Sequence, residues 1–470
     1  MPGGSASSPA VGLAPVRDPL AGGPAQAAAA SPAPLGTLCG ICPPQGRSCN
    51  CDKGDLDADR VDTRLGRYAL QAVAREWLWD PAEGLAGDWH RLAGCHRWMA
   101  YRRPPGSVLP GPPHKGKRPR GRAGQAERVE SVALLHDAER MRAYYAGLQT
   151  CGSAWVDPIC SGIIYDYRRG EVAEALEWAR ENGYRVYFVT LTAQHSKEMR
   201  LATLLSQLGK AMRKVYGGRP WERFRDATGY LGSIKGVEVT NGKHGWHPHY
   251  HLLWFSKIGT ALQVRAYVDP AWRSALASVG LSGLKGIAAN VKESSMTASE
   301  YMTKFGHDRG WDLDAELAMW ARKDGLKQKS ATPWDLLRAG LRHYDPATDG
   351  PVRGEIVARC RKLFLEYAAA TKGKHSLEWS KGLKALVGVA EVSDEDAAAG
   401  ELNDRELAVL ALLSVAQWRR VVANDMRGEL LQVANNGDVV AVAAFLALIG
   451  VHLDPLPALA LPAGLHIAAC

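Results

Sequence analysis

The 470-residue sequence contains no apolar run of the roughly 18–20 residues that a helix needs to cross a bilayer. Its longest candidate, Val439 to Ile449, is short and reads as a buried helix. The start of the chain lacks a basic segment followed by an apolar block, so no secretory signal is expected. A cytoplasmic location and no membrane partner are the expectations that follow. Acidic residues are in deficit, 49 against 58 Lys and Arg, which gives a net charge of +9 and a pI near 9.0. That imbalance favours a polyanionic partner. Cysteine is sparse and uneven: Cys39, Cys42, Cys49, Cys51, Cys95, Cys151, Cys160, Cys360 and Cys470. In a reducing compartment such a set points to metal binding or free thiols before disulfides.

What is present is ordinary for a globular protein: 46% hydrophobic and 23% charged residues. The length allows two or three structured units. Fifteen Trp and fifteen Tyr could stack on bases, although packing in a core is the commoner use of such residues.

Residues 1–36 are rich in Ala, Pro, Gly and Ser and read as a disordered tail. Residues 37–150 form an N-terminal region interrupted at 104–124 by Pro-Pro pairs and the basic string His114-Lys115-Gly116-Lys117-Arg118-Pro119-Arg120-Gly121-Arg122. This linker is either a phosphate grip or a solvated spacer. Residues 151–390 have the pattern of a mixed helix and strand domain. Arg185 to Thr192 is dense in β-branched and aromatic residues and reads as a buried strand. Met199, Leu204, Leu205, Leu208, Met212 and Val215 recur at helical spacing. Leu231–Thr240 and Tyr250–Phe255 read as strands of a hairpin whose loop, Asn241 to Gly245, is slightly long. Residues 391–470 read as a small helical unit, with Asn403 and Glu406 as a capping box and Asp438 as a later cap.

The chemistry concentrates in His247-Pro248-His249-Tyr250-His251. Side chains alternate along a strand, so His249 and His251 project to one side, about 7 Å apart. With fourteen histidines, one His-x-His pair is expected by chance in many chains of this composition, three alternate ones in few. Two imidazoles so placed can share a divalent cation, and a hard cation also wants a carboxylate. Glu238, in Gly236-Val237-Glu238-Val239-Thr240, would lie across the hairpin from them. Further on, Ser294 to Phe305 reads as a helix on which Tyr301 and Lys304 share a face. A phenol with a pKa near 10 is a poor nucleophile, and a nearby cation would favour its phenolate. Cys95, Cys151 and Cys160, with His96 or Asp157 completing four ligands, are candidates for a structural zinc. Cys39, Cys42, Cys49 and Cys51 are a second, closer-spaced candidate.

The order of these elements, strand Tyr187 to Thr192, then His-hydrophobe-His, then Tyr-x-x-Lys, resembles the three motifs of the HUH endonuclease superfamily. Within it the chain is most similar to plasmid rolling-circle replication proteins of the single-tyrosine type. Cys151-Gly152-Ser153-Ala154-Trp155 with Pro158 and Cys160 also resembles a segment of those proteins. So does Thr371 to His375 leading into Trp379 to Leu383. The resemblance spans about residues 90–390. It implies an α+β nickase domain, a central antiparallel sheet with flanking helices. Mg²⁺ or Mn²⁺ would sit on His249, His251 and Glu238. Tyr301 would be the nucleophile, with Lys304 its basic companion. The implied partners are single-stranded or hairpin origin DNA, a host helicase and a DNA polymerase. Thr297 stands where relatives often carry a glutamate, leaving Glu300 or Glu293 as substitutes, and Phe305 stands where two-tyrosine relatives have a second nucleophile. The alternatives are a non-catalytic origin-binding or repressor protein, and a relaxase or transposase of the same superfamily.

Overall fold

A computed structural model of the chain describes residues 58–78, 90–102, 127–128, 130–139, 141–284, 286, 288–294, 330–341, 346–399 and 407–453. The tail 1–36, the linker 104–124, the first four cysteines and the segment around Tyr301 therefore lie outside the described residues.

In chain order the first part comprises α1 (Ala58–Leu78), α2 (His90–Gly94), β1 (Tyr101–Arg102), β2 (Glu127–Arg128), β3 (Ser131–Asp137) and β4 (Arg142–Ala146). Next come α3 (Pro158–Glu181), β5 (Arg185–Leu191), α4 (Leu201–Val215), α5 (Gly218–Thr228), β6 (Tyr230–Gly242), β7 (Gly245–Ser256), α6 (Ala261–Ala277) and β8 (Ala289–Glu293). After the undescribed stretch follow α7 (Pro333–Arg338), α8 (Pro346–Thr371), β9 (Leu377–Trp379), α9 (Leu383–Val387) and α10 (Asp394–Ala399). The last elements are β10 (Ala408–Ser414), α11 (Val415–Ala423), α12 (Arg427–Ala434) and α13 (Val439–Leu448).

The main sheet is antiparallel throughout, in the order β8-β5-β7-β6-β9. This is the expected α+β architecture. β6 and β7 form its long hairpin, and their register closes at Gly242 opposite Gly245. The loop is therefore the two residues Lys243 and His244, tighter than expected from the sequence. Gly245 makes that possible, because its φ of +88° is a conformation that side chains disfavour.

Alternation along the strands decides what covers each face. Trp246, Tyr250, Leu252 and Trp254 of β7 point to the side of α4, α5 and α6. There Tyr216, Trp221, Phe224 and Tyr230 pack around the fully buried Trp254, whose indole N–H donates to Tyr216 Oη at 2.9 Å. Trp272 of α6 meets Tyr250 edge-on. The helical spacing read from the sequence holds for α4, whose Leu204, Leu205, Leu208, Met212 and Val215 are all buried, except that Met199 lies before the helix begins and is partly buried. Thus these aromatic residues serve the core. On the opposite face α3 covers one end of the sheet, bringing Trp178 to 6.3 Å from Phe255. α3 starts where Asp157 caps it and Pro158 fixes its first turn.

A second, smaller core joins segments from the two ends of the chain. β3 lies between β4 and β10 in an antiparallel sheet. Val132, Leu134, Leu410, Leu413, Trp418, Leu430 and Leu446 are buried together there. This corrects the reading of residues 391–470 as helical only, since 408–414 is a strand. Ala- and Leu-rich composition favours helix, and pairing with β3 overrides it. Asp438 does cap the last helix, accepting from Val440 N and Ala441 N at 2.8 and 3.0 Å. Asn403 and Glu406 lie outside the described residues. Among the described residues no helix is long and apolar enough to cross a membrane.

Candidate functional site

The histidines lie on the face of the sheet opposite α4–α6. His247, His249 and His251 share this face of β7, while Trp246, Pro248 and Tyr250 between them are buried beneath. His251 pairs with Thr190 on one side and with Gly236 on the other. The absent side chain at Gly236 leaves room beside the ring. His251 Nε2 lies 2.8 Å from Glu238 Oε2, and Nδ1 lies 3.3 Å from Thr190 Oγ1. Phe188 stacks on the same ring at 5.6 Å. His251 is thus held on three sides by β5 and β6. At the sheet edge Asn290 and Lys292 of β8 share this face and are exposed.

A row of imidazoles extends from there. The rings of His249 and His251 are 6.0 Å apart, those of His247 and His249 3.9 Å, and those of His195 and His247 4.3 Å. Burial, helped by the neighbouring imidazoles, pushes His249 down to about 3; burial and His195 push His247 down to about 4. Both are therefore neutral near pH 7 and keep a nitrogen lone pair. His247 Nε2 and His249 Nδ1 are buried and have no hydrogen-bond partner among the described residues. Such atoms are costly to bury unless something is bound to them. His195 was not a candidate from the sequence. It enters from the loop after β5, and the only signal was its closeness to the strand Tyr187 to Thr192.

The chain is similar to a protein called Rep. It is 25% identical to "Protein rep" of Streptomyces lividans over 358 residues, covering 62% of this chain and 76% of that protein. It is 32% identical to "Neomycin resistance protein" of Streptomyces cyanogenus over 133 residues, 23% of this chain and 30% of that protein. No family model and no solved structure matches the chain.

Of the expected nickase residues, the structure brings His249, His251 and Glu238 to one face, with His251 and Glu238 in contact. The ligand atoms of the three do not all lie within 4.8 Å of one another, a convergence reached among the described residues by the cysteine cluster. Tyr301, Lys304 and Glu300, with Thr297 and Phe305, lie outside the described residues. Glu293 ends β8, where it faces Arg185 at 3.1 Å.

The cysteine cluster forms where the turn after α2 meets the start of α3. Cys95, Cys151, Cys160 and Asp157 converge there, all buried. His96, the other proposed fourth ligand, is buried beside them but outside that converging set. Burial pushes the Cys95 and Cys151 thiols up, whereas hydrogen bonds from Cys151 and Cys95 hold Cys160 well below the usual thiol range.

Proposed function

We propose that the chain is a plasmid replication protein that starts rolling-circle replication by nicking one strand of its origin DNA. The observation that carries this reading is the row of imidazoles on β7, neutral at His247 and His249, with Glu238 in contact with His251. The similarity to Protein rep supports the replication role.

The donor chemistry suits a divalent cation, for which the ligand atoms would have to draw together: among the described residues His249 Nδ1 is buried without a partner, and Glu238 supplies a carboxylate beside His251. His249, His251 and Glu238 would hold the ion, and their mixed nitrogen and oxygen donors suit Mn²⁺ at least as well as Mg²⁺. When bound, the ion supplies charge that offsets the scissile phosphate's.

The remaining chemistry belongs to the chain. Tyr301 attacks phosphorus in line through its phenolate oxygen. A Tyr–O–P bond forms, the bond from phosphorus to the 3′ oxygen breaks, and that oxygen takes a proton. The products are a 5′-phosphotyrosine and a 3′-hydroxyl that can prime a polymerase, with the phosphodiester energy retained for rejoining. Lys304 favours the phenolate by its charge, and Glu300 is the nearest carboxylate in sequence for activating water at termination.

The test is to incubate the protein with Mn²⁺ and single-stranded origin fragments from its own replicon and look for a covalent adduct on a denaturing gel. An adduct that maps to Tyr301, disappears with chelator and is lost in Tyr301→Phe is the expected result. Tight binding without an adduct would overturn the reading in favour of a non-catalytic origin-binding protein.

A further inference from the structure

Two segments far apart in sequence place four metal-ligating groups at one buried point. Cys95 Sγ and Cys160 Sγ are 3.3 Å apart. Cys151 donates from its backbone N–H to Cys95 Sγ at 3.3 Å and from its thiol to Asp157 Oδ2 at 3.2 Å. Cys95, Cys160 and Asp157 are fully buried and Cys151 nearly so. We infer that Cys95, Cys151, Cys160 and Asp157 hold a structural zinc ion that fastens the N-terminal turn to the start of α3.

The geometry favours an ion over the two alternatives of free thiols and a disulfide. A tetrahedral zinc with Zn–S bonds of about 2.3 Å keeps its sulfurs roughly 3.8 Å apart. The observed separation is within half an ångström or so of that and far from the roughly 2.05 Å of a disulfide. The thiol of Cys151 pointing at a carboxylate oxygen is the protonated stand-in for a sulfur and an oxygen sharing one cation. Three thiols and a carboxyl packed together without an ion would bury polar groups for little return.

The surroundings are those of a supported site. Asp157 Oδ1 is occupied by the amides of Ile159 and Cys160 as the cap of α3, at 2.8 and 3.2 Å. Its Oδ2 accepts from Gln71 Nε2 at 2.9 Å, which fixes the oxygen aimed at the sulfurs. His96 lies next to the cluster, with both ring nitrogens buried and unpartnered among the described residues. It is placed to donate to a ligand sulfur rather than to complete the set. Three thiolates and a carboxylate leave a net negative charge on the complex. The N-terminus of α3 and the guanidinium of Arg427, buried 3.1 Å from His96 O and 3.2 Å from Gln71 Oε1, offset it. Moreover, Cys95, Cys151 and Cys160 belong to the larger core, while the adjacent Met99 and Ile159 belong to the smaller. The ion would sit where the two cores meet.

The experiment uses the full chain with Cys39, Cys42, Cys49 and Cys51 changed to Ser, so that no other close-spaced cysteines contribute. Metal analysis should find one equivalent of zinc, and exchange for Co²⁺ should give thiolate-to-cobalt charge-transfer absorption. Asp157→Cys should keep the equivalent and raise that absorption by about a third, as a fourth thiolate joins three. His96→Gln should keep the metal, and Cys160→Ser should lose it. A folded protein free of metal that gives no charge-transfer band with Co²⁺ would overturn the inference. A Cys95–Cys160 disulfide in the isolated protein would do the same. Unchanged absorption in Asp157→Cys, with metal lost in His96→Gln, would overturn Asp157 as the fourth ligand. None of these readouts depends on nicking.

Discussion

Glu238 Oε2 lies 2.8 Å from His251 Nε2, although Glu238 is paired across the hairpin with His249 rather than with His251. The contact is diagonal, and it is open to Glu238 because His251's own partner on β6 is Gly236. It ties the carboxylate to the ring that Thr190 and Phe188 already hold. The carboxylate is consequently presented at a fixed place on the histidine face, half-buried and across the hairpin from the neutral His249.

Removing its charge should separate binding from folding. Glu238→Gln keeps the size and the hydrogen bond but loses the anion. Mn²⁺ affinity, measured by titration calorimetry, should fall by roughly 10–100-fold or more. The melting temperature should barely move, since a partly exposed pair contributes about 0–1 kcal/mol. An unchanged Mn²⁺ affinity would remove Glu238 from the ligand set.

The hairpin turn offers a second test, because the histidine row depends on where β7 begins. At Gly245 an added Cβ would lie 2.9 Å from Lys197 Cα and 3.1 Å from Ser196 O, both backbone, at a φ of +88°. Gly245→Ala should therefore destabilise by about 1–3 kcal/mol. The strain falls next to His247 and His195, so Mn²⁺ affinity should drop as well. Urea unfolding reads the first effect, and a loss below about 0.5 kcal/mol would mean the turn yields without strain.

Much of this arrangement was legible in the sequence, for identifiable reasons. β5, β6 and β7 announced themselves by runs of β-branched and aromatic residues, and strand alternation alone put His249 and His251 on one face. The tightness of the turn was not legible, since it depends on the φ of one glycine. Nor was His195, which reaches the row through a loop that has no periodicity. The three cysteines could be singled out by their rarity, yet Asp157 and His96 could not be ranked as fourth ligand without coordinates. β10 was misread because its Ala-Val-Leu-Ala-Leu-Leu composition suits a helix, and only the edge of β3 makes it a strand.

Asp269 should set part of the acid limit. Its Oδ1 accepts from the amides of Ala288 and Ala289 at 3.0 and 2.9 Å and its Oδ2 from Arg273 Nε at 2.9 Å, which positions the start of β8. Burial acts to raise its pKa, but Arg273 and the two amides together hold the carboxyl below its ordinary value. The unfolded chain then binds the proton more readily. Its contribution to stability is present above the unfolded value of about 3.9 and is lost as pH falls through the lower folded value. Hydrogen exchange at Ala288 and Ala289 should accelerate at that acid limit, and Asp269→Asn should exchange fast at every pH. Equal exchange in both proteins at neutral pH would show that β8 is held by other contacts.

The last prediction concerns whether the two cores unfold together. Trp418 is buried in the smaller core, where its ring meets Tyr145 edge-on at 4.9 Å and its Nε1 donates to Arg97 O at 2.7 Å. Trp418→Ala should cost about 3–5 kcal/mol, the usual range for emptying so large a site. Where that loss appears depends on Arg427. Its side chain comes from α12 of the smaller core, crosses over Tyr68 and ends on Gln71 and His96 beside the cysteine cluster. Through that bridge, damage at Trp418 should be felt by the main sheet. The expected result is one cooperative transition shifted to lower denaturant, with tryptophan fluorescence and far-UV circular dichroism coinciding. Two transitions, the later one at the midpoint of the unaltered protein, would mean that the sheet carrying the histidines stands without the terminal segments. In that case Arg427→Met should be as harmless to the histidine face as a surface change.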